Sequence, residues 1–347
     1  MLQRRTKILI GCCLTVLLSM PIGALAQIAL PEYSDLMSEA SKAGLAKQKL
    51  LNDKAIKACN PYEQDTSQQI RDCEAQFYEP IMAVAKNKYP DLEIQAKIIA
   101  GVQTDIISPA TIAAHKSDKI LINLHGGGFK YGARFGGQLE SMPIAHHGGY
   151  KVVSIDYRKA PDHRFPAGVD DVEKVYRALL NDYSANNIGI FGCSAGSRLA
   201  GQSLYRFSQQ KLPIPAAAVF LCSAPTGLKG DSNITAAAIA NKAPLTLDMV
   251  QYWQGLSAND ISAFPGEHRS ALQNFPPALL ITSTRDYALS TMVKMHSDLV
   301  ALHKVAELHI FEGFAHAQFM SMYVPESRET SRIMVDFFDR HLGHQGQ

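Results

Sequence analysis

Gly192-Cys193-Ser194-Ala195-Gly196 stands between a short apolar run at 188–191 and a helical pattern at 197–208. A serine in G-x-S-x-G between strand and helix is held on a sharp turn above a sheet, with its hydroxyl exposed at a helix N-terminus. The glycines are needed because a side chain at either place would meet the neighbouring strand or helix. By composition alone such a pentapeptide turns up in about one chain in ten of this length, so the decision rests on what surrounds it.

Outward from this turn, apolar runs at 120–124, 152–155, 216–222, 278–282 and 306–311 alternate with helical patterns at 168–180, 290–303 and 329–341. That alternation predicts an α/β fold with a mostly parallel central sheet covered by helices on both faces. Sites in such sheets gather at the carboxyl ends of the strands. Residues 94–106 alternate around Ala100-Gly101 and predict a hairpin. Residues 33–88 show helical spacing with no strand pattern, divided by Asn60-Pro61 and kinked or divided again at Pro80. The resulting plan is a leader at 1–26, an N-terminal helical cap at 27–92 and an α/β-hydrolase catalytic domain at 93–347. The irregular stretch 227–273, with the single tryptophan Trp253, is expected to contribute a pocket wall or packing against the core.

The leader is read from Arg4, Arg5 and Lys7, an apolar run at 8–22 interrupted by Gly11 and Pro21, and Ala24-Leu25-Ala26 before Gln27. This is the pattern of a secretory signal peptide cleaved after Ala26, and the run is short for a membrane span. It predicts a secreted or periplasmic protein without a stable membrane anchor after cleavage. Without those three cations the chain carries 31 basic and 32 acidic residues, a balance that offers no nucleic-acid-binding face. Four cysteines remain. An oxidising compartment favours a bridge between Cys59 and Cys73, with two separate thiols as the alternative. Cys193 and Cys222 sit in apolar strand ends and read as inert thiols.

His125-Gly126-Gly127-Gly128 follows the 120–124 run. It has a chance expectation of only about 0.4% on the same composition arithmetic. Glycines lacking side chains let backbone N–H groups converge on one oxygen, as the oxyanion of acyl transfer requires. The N–H groups of Gly126, Gly127 and Ala195 are assigned to that role, and His125 to a structural hydrogen bond. A serine nucleophile needs a base and an orienting acid, which in this strand–helix context follow in the order acid, then histidine. Asp286 follows the 278–282 strand and His316 the 306–311 strand. Together with Ser194 they form the expected triad. No tight cluster of metal-ligand residues is found, so no metal or cofactor is expected.

The stretches 124–129, Asp156-Tyr157-Arg158-Lys159-Ala160-Pro161-Asp162-His163-Arg164-Phe165-Pro166-Ala167 and 192–196 resemble the hormone-sensitive-lipase-like esterases, the bacterial family marked by an H-G-G-G motif. The likeness runs over about 93–341. It implies a helical cap over the site and small to medium ester substrates, and it leaves a homodimer open. Arg158 and Asp156 look like an ion pair beneath the site. The chain departs from the family pattern at Cys193, at Ser197-Arg198, at Tyr287 and at Ala317-Gln318-Phe319. A lactonase, deacetylase or acyl transferase could use the same triad. The gibberellin receptor looks like this fold with its histidine lost, so a binding protein is the reading from another class.

Overall fold

The computed structural model describes residues 31–240 and 242–343; the expected leader at 1–26 lies outside them. In chain order the elements begin with α1 (Glu39–Ala58), α2 (Ser67–Lys88), β1 (Leu92–Ile99), β2 (Val102–Pro109), β3 (Ile120–Leu124), α3 (Phe135–Gly148), β4 (Lys151–Ile155) and α4 (Ala167–Leu179). They continue with β5 (Ile188–Cys193), α5 (Ala195–Gln209), β6 (Ala217–Leu221), α6 (Asp231–Ile239), α7 (Arg269–Leu272), β7 (Ala278–Ser283), α8 (Leu289–Ala301), β8 (Ala306–Phe311) and α9 (Pro325–His341).

Among the described residues the strands form one sheet in the order β1-β2-β4-β3-β5-β6-β7-β8. The hairpin is antiparallel, β2 joins β4 antiparallel, and every later pairing is parallel. The expected α/β-hydrolase architecture is therefore present. Every residue of β3, β5, β6 and β7 is buried, which is why these runs read as continuously apolar rather than alternating. On one face α4, α5 and α8 cover the sheet with Val172, Leu199 and Met295 among their buried side chains. On the other, α3 and α9 do so with Met142 and Phe338. In α4 the buried Val169, Val172, Val175 and Leu179 recur at helical spacing, and each contributes about 1.5–3 kcal/mol by leaving water.

The N-terminal helices are tied to this body by specific polar bonds. Ser41 Oγ donates to Glu326 Oε1 at 2.6 Å and Ser34 Oγ to Glu312 Oε1 at 2.7 Å. Phe77 and Ile81 of α2 pack beside Leu139 of α3 and Met322. The capping box of Thr66 and Gln69 starts α2, which then runs unbroken through Pro80. Of the expected kink or division at Pro80 the division does not occur, since buried Phe77 on one side of the proline and Ile81 and Met82 on the other anchor the helix across it. A disulfide joins Cys59 to Cys73, and Cys193 and Cys222 are buried thiols. Helix α3 was not anticipated. Gly136, Gly137 and Pro143 break up its apolar spacing, although a parallel β3–β4 pair requires a crossover there. No helix among the described residues is long and apolar enough to cross a membrane.

Candidate active site

Strand β5 ends at Cys193, and α5 begins one residue after Ser194. Ser194 itself has φ 56° and ψ −116°, a backbone region that costs a non-glycine residue free energy. Two contacts hold the turn. Ser194 N–H donates to Leu221 O at 2.9 Å, and a Cβ on Gly192 would lie 2.5 Å from Leu124 O and from the Gly196 carbonyl carbon. Gly196 is tighter still, backed directly against the Leu124 carbonyl. The glycines thus let β3 and the first turn of α5 touch, and the hydroxyl is left standing at a helix N-terminus.

The loops after β7 and β8 bring the other two residues to it. His316 Nε2 lies 2.9 Å from Ser194 Oγ, and His316 Nδ1 lies 2.8 Å from Asp286 Oδ1. Asp286 is 1% exposed and its Oδ1 also accepts the Ala288 N–H at 2.9 Å. An ionised Asp286 requires the proton on Nδ1, which leaves Nε2 free to accept from the serine. Thr284 Oγ1 accepts the Gly313 N–H at 2.8 Å and so latches the two loops together. Tyr287, next to the acid, packs its ring 4.4 Å from the imidazole, with its hydroxyl 3.5 Å from Nε2.

The glycine loop after β3 is arranged differently from the sequence expectation at one place. The N–H groups of Gly127 and Ala195 have no protein acceptor among the described residues. Gly126 does have one. Its N–H donates to Glu140 Oε1 at 2.8 Å, and Asn123 Nδ2 donates to the other carboxylate oxygen at 3.1 Å. Burial, offset in part by these hydrogen bonds, raises the Glu140 pKa to about 7. Glu140 sits on the unanticipated helix α3, so sequence reasoning missed it. The signal that could have found it is a lone acidic residue inside the crossover that β3 and β4 demand.

His125 is wholly buried, stacks on Tyr157 at 4.4 Å and places Nδ1 2.6 Å from Gly126 O. Burial lowers its pKa to about 4, so it is neutral at physiological pH and acts on loop shape. The expected Arg158–Asp156 pair is corrected. Arg158 Nε pairs with Asp171 of α4 at 2.9 Å, and Asp156 Oδ1 pairs with Lys159 Nζ at 2.6 Å. The chain leaves regular strand geometry after Ile155, so the two side chains need not share a face. Asp171 also accepts the Arg158 N–H at 2.9 Å and draws Arg158 to α4, while Asp156 faces Lys159 and stands 3.9 Å from His125 Nε2 on the glycine-loop side.

A cavity of about 410 Å³ opens beside Ser194. The irregular segment supplies its apolar wall through Leu228, Leu245, Met249 and Trp253, while Arg198 and Lys130 are its cations. Trp253 is both wall and core, since its ring also lies 5.3 Å from Phe129 and 5.2 Å from Phe264. Among the described residues no group of three or more His, Cys, Asp or Glu is placed to hold a metal ion.

With this geometry in view, a family model described as alpha/beta hydrolase fold matches residues 121–320, and the chain belongs to that family. An acetyl-hydrolase of Streptomyces hygroscopicus is 28% identical over 198 residues, which cover 56% of this chain and 63% of that protein. An esterase of Acinetobacter venetianus is 23% identical over 258 residues, covering 72% of this chain and 82% of that one. Among solved structures, an esterase called E25 superposes with TM-score 0.74 at 26% identity, covering 93% of this chain and 99% of that one. An esterase described as from the bacterial hormone-sensitive lipase family shares the fold at TM-score 0.73 and 23% identity, covering 88% of this chain and 99% of that one. The chain spans 63% of the acetyl-hydrolase and 38% of a versiconal hemiacetal acetate esterase of Emericella nidulans.

Proposed function

We propose that this protein is a serine carboxylic-ester hydrolase acting on small to medium acyl esters. The observation that carries the reading is the continuous relay Asp286–His316–Ser194, with contacts of 2.8 and 2.9 Å. The names of the relatives, acetyl-hydrolase and esterase, support the same class.

In the proposed reaction His316 Nε2 takes the Ser194 proton as Oγ attacks the ester carbonyl. Asp286 keeps the imidazole in the required tautomer and stabilises the imidazolium. The N–H groups of Gly127 and Ala195 stabilise the oxyanion. Gly126 would join them only by leaving Glu140. His316 then returns the proton to the departing alcohol, which leaves an acyl-serine. Water, deprotonated by the same Nε2, hydrolyses that ester and restores the hydroxyl. Chain export is part of the proposal, supported by the Arg4–Ala26 pattern and consistent with the Cys59–Cys73 bridge.

The test is hydrolysis of p-nitrophenyl esters from acetate to laurate by the chain lacking residues 1–26, beside Ser194→Ala. Activity that disappears in the variant is the expected result. A folded protein inactive on every ester would overturn the reading.

A further inference from the structure

Arg198 follows the nucleophile by one turn of α5 and lines the cavity that holds Ser194. It is 3% exposed. Its partners are all neutral. Nε donates to Ser223 Oγ at 2.7 Å, Nη1 donates to Thr226 O at 2.5 Å, and the guanidinium carbon stands 5.2 Å from the centre of the Trp253 ring. The Tyr287 hydroxyl is near as well. Among the described residues no carboxylate lies within ion-pair distance of Arg198, whereas Arg134, Arg158, Arg177, Arg206, Arg269 and Arg340 each have one. A guanidinium presents five N–H donors in a fixed fork. Here Nε and Nη1 are engaged by a hydroxyl and a carbonyl, with the Tyr287 hydroxyl as a further neutral neighbour, and none of the donors meets a carboxylate among the described residues.

A charge taken out of water is normally paired. Burial lowers the pKa of Arg198 from its usual value, the expected response of a cation that has lost its solvent. The surroundings repeat the same sign. Lys130 lines the same cavity and has no acidic partner among the described residues, with its Nζ 5.3 Å from the Tyr131 ring centre. Neither Asp nor Glu occurs among the residues lining the cavity. Asp286 and Glu267 attract Arg198 only from beyond ion-pair distance, so within the cavity itself the two cations face no carboxylate.

Building on the esterase reading, we infer that the substrate is an ester carrying its own carboxylate, bound by the fork of Arg198 with Lys130 as the outer cation. The simplest member of that class is a half-ester of a dicarboxylic acid. A planar carboxylate matches the guanidinium fork, and the apolar wall of Leu228, Leu245 and Met249 holds the carbon chain. A neutral ester of the same length fits the space and leaves the guanidinium uncompensated, and sites built on such groups discriminate strongly against analogues that lack the partner.

The experiment compares monomethyl glutarate with methyl pentanoate, which carries a methyl group where the other has its carboxylate. Wild type is expected to show kcat/KM at least about ten-fold higher for the anionic ester. Free glutarate is expected to inhibit p-nitrophenyl butyrate hydrolysis competitively. Arg198→Met and Lys130→Gln should each lower the anionic-to-neutral ratio of kcat/KM and raise the inhibition constant of glutarate. Should Arg198→Met fail to fold, the part-exposed Lys130→Gln and the wild-type preference still decide. Equal or better hydrolysis of methyl pentanoate by wild type overturns the inference and leaves the esterase reading standing. A folded wild type that hydrolyses neither these esters nor p-nitrophenyl butyrate overturns both.

Discussion

Glu140 Oε1 accepts the Gly126 N–H at 2.8 Å, so a half-buried carboxylate grips the loop that faces the nucleophile. A Cβ added to Gly126 would stand 3.3 Å from that oxygen and 3.5 Å from Ser194 Cβ. The grip extends inward as a chain, in which Ser154 Oγ donates to Asn123 Oδ1 at 2.9 Å and Asn123 Nδ2 donates to Glu140 Oε2 at 3.1 Å. A burial-raised pKa of about 7, against an ordinary 4.5, has a defined consequence for stability. The folded state holds this proton more tightly than the unfolded one. The contribution is therefore fully present below about pH 4.5 and is lost as pH rises through about 7. Glu140→Gln cannot ionise. Whatever pH-independent cost the amide carries, the variant should gain on wild type by up to about 3 kcal/mol between pH 4.5 and 8.5. Chemical denaturation at the two pH values measures this directly, and parallel pH dependences would refute it.

The Asp286 carboxylate is expected to act through the tautomer of His316. Asp286→Asn presents an amide that keeps the shape but can donate to Nδ1, which would move the ring proton to Nε2 and leave no base facing Ser194. A drop in kcat of about 10⁴-fold is expected on the p-nitrophenyl ester that wild type hydrolyses best. Rates measured on the folded variant check it. A loss of less than ten-fold would mean that the acid is supplied from elsewhere.

The strand-end placements of Ser194 and Asp286 were legible because each follows a nearly continuous apolar run, whereas His316 follows the edge strand β8, where Glu307 and His309 interrupt the apolar residues, and was legible from its place in the chain order. In a buried parallel strand nearly every residue is apolar, so the first polar residue past the run marks the end of the strand. The glycine loop was legible for the same reason. What escaped was contributed by segments whose pattern is not periodic. Gly136, Gly137 and Pro143 hide α3 and with it Glu140. Arg198 looks like any polar residue of a helix, because its isolation from carboxylates depends on Ser223, Thr226 and Trp253, which are distant in sequence. The Arg158–Asp171 pair was misread for a related cause, since its partner lies on the next helix and not in the same extended stretch.

The bridge between Cys59 and Cys73 fastens the end of α1 to the second turn of α2 across 14 residues. Closing a loop of that length restricts the unfolded chain by about 3 kcal/mol. The double variant Cys59→Ser, Cys73→Ser should lose roughly that much stability. Thermal unfolding with and without reductant separates the effect. Wild type should shift toward the double variant when reduced, and the double variant should not respond. Equal stability of oxidised wild type and the variant would show that the helix contacts alone hold this segment.

Gly127 has φ +113°, and a Cβ there would collide with the carbonyl of Tyr131. Tyr131 also closes this turn, donating its N–H to Gly127 O at 2.9 Å. Gly127→Ala must therefore displace the loop that carries the proposed oxyanion donor, in addition to straining the backbone. Gly101, in the β1–β2 turn, supplies the comparison. Its φ is +81° with nothing within 4 Å of an added Cβ, so Gly101→Ala carries backbone strain alone. Each substitution is expected to cost about 1 kcal/mol or more in stability. Only Gly127→Ala should also lower kcat, by about 10²–10³-fold, the usual effect of losing one oxyanion donor. Steady-state kinetics and denaturation on both variants make the distinction. If Gly127→Ala folds and turns over like Gly101→Ala, the oxyanion is held by other groups, and the release of Gly126 from Glu140 becomes the next place to look.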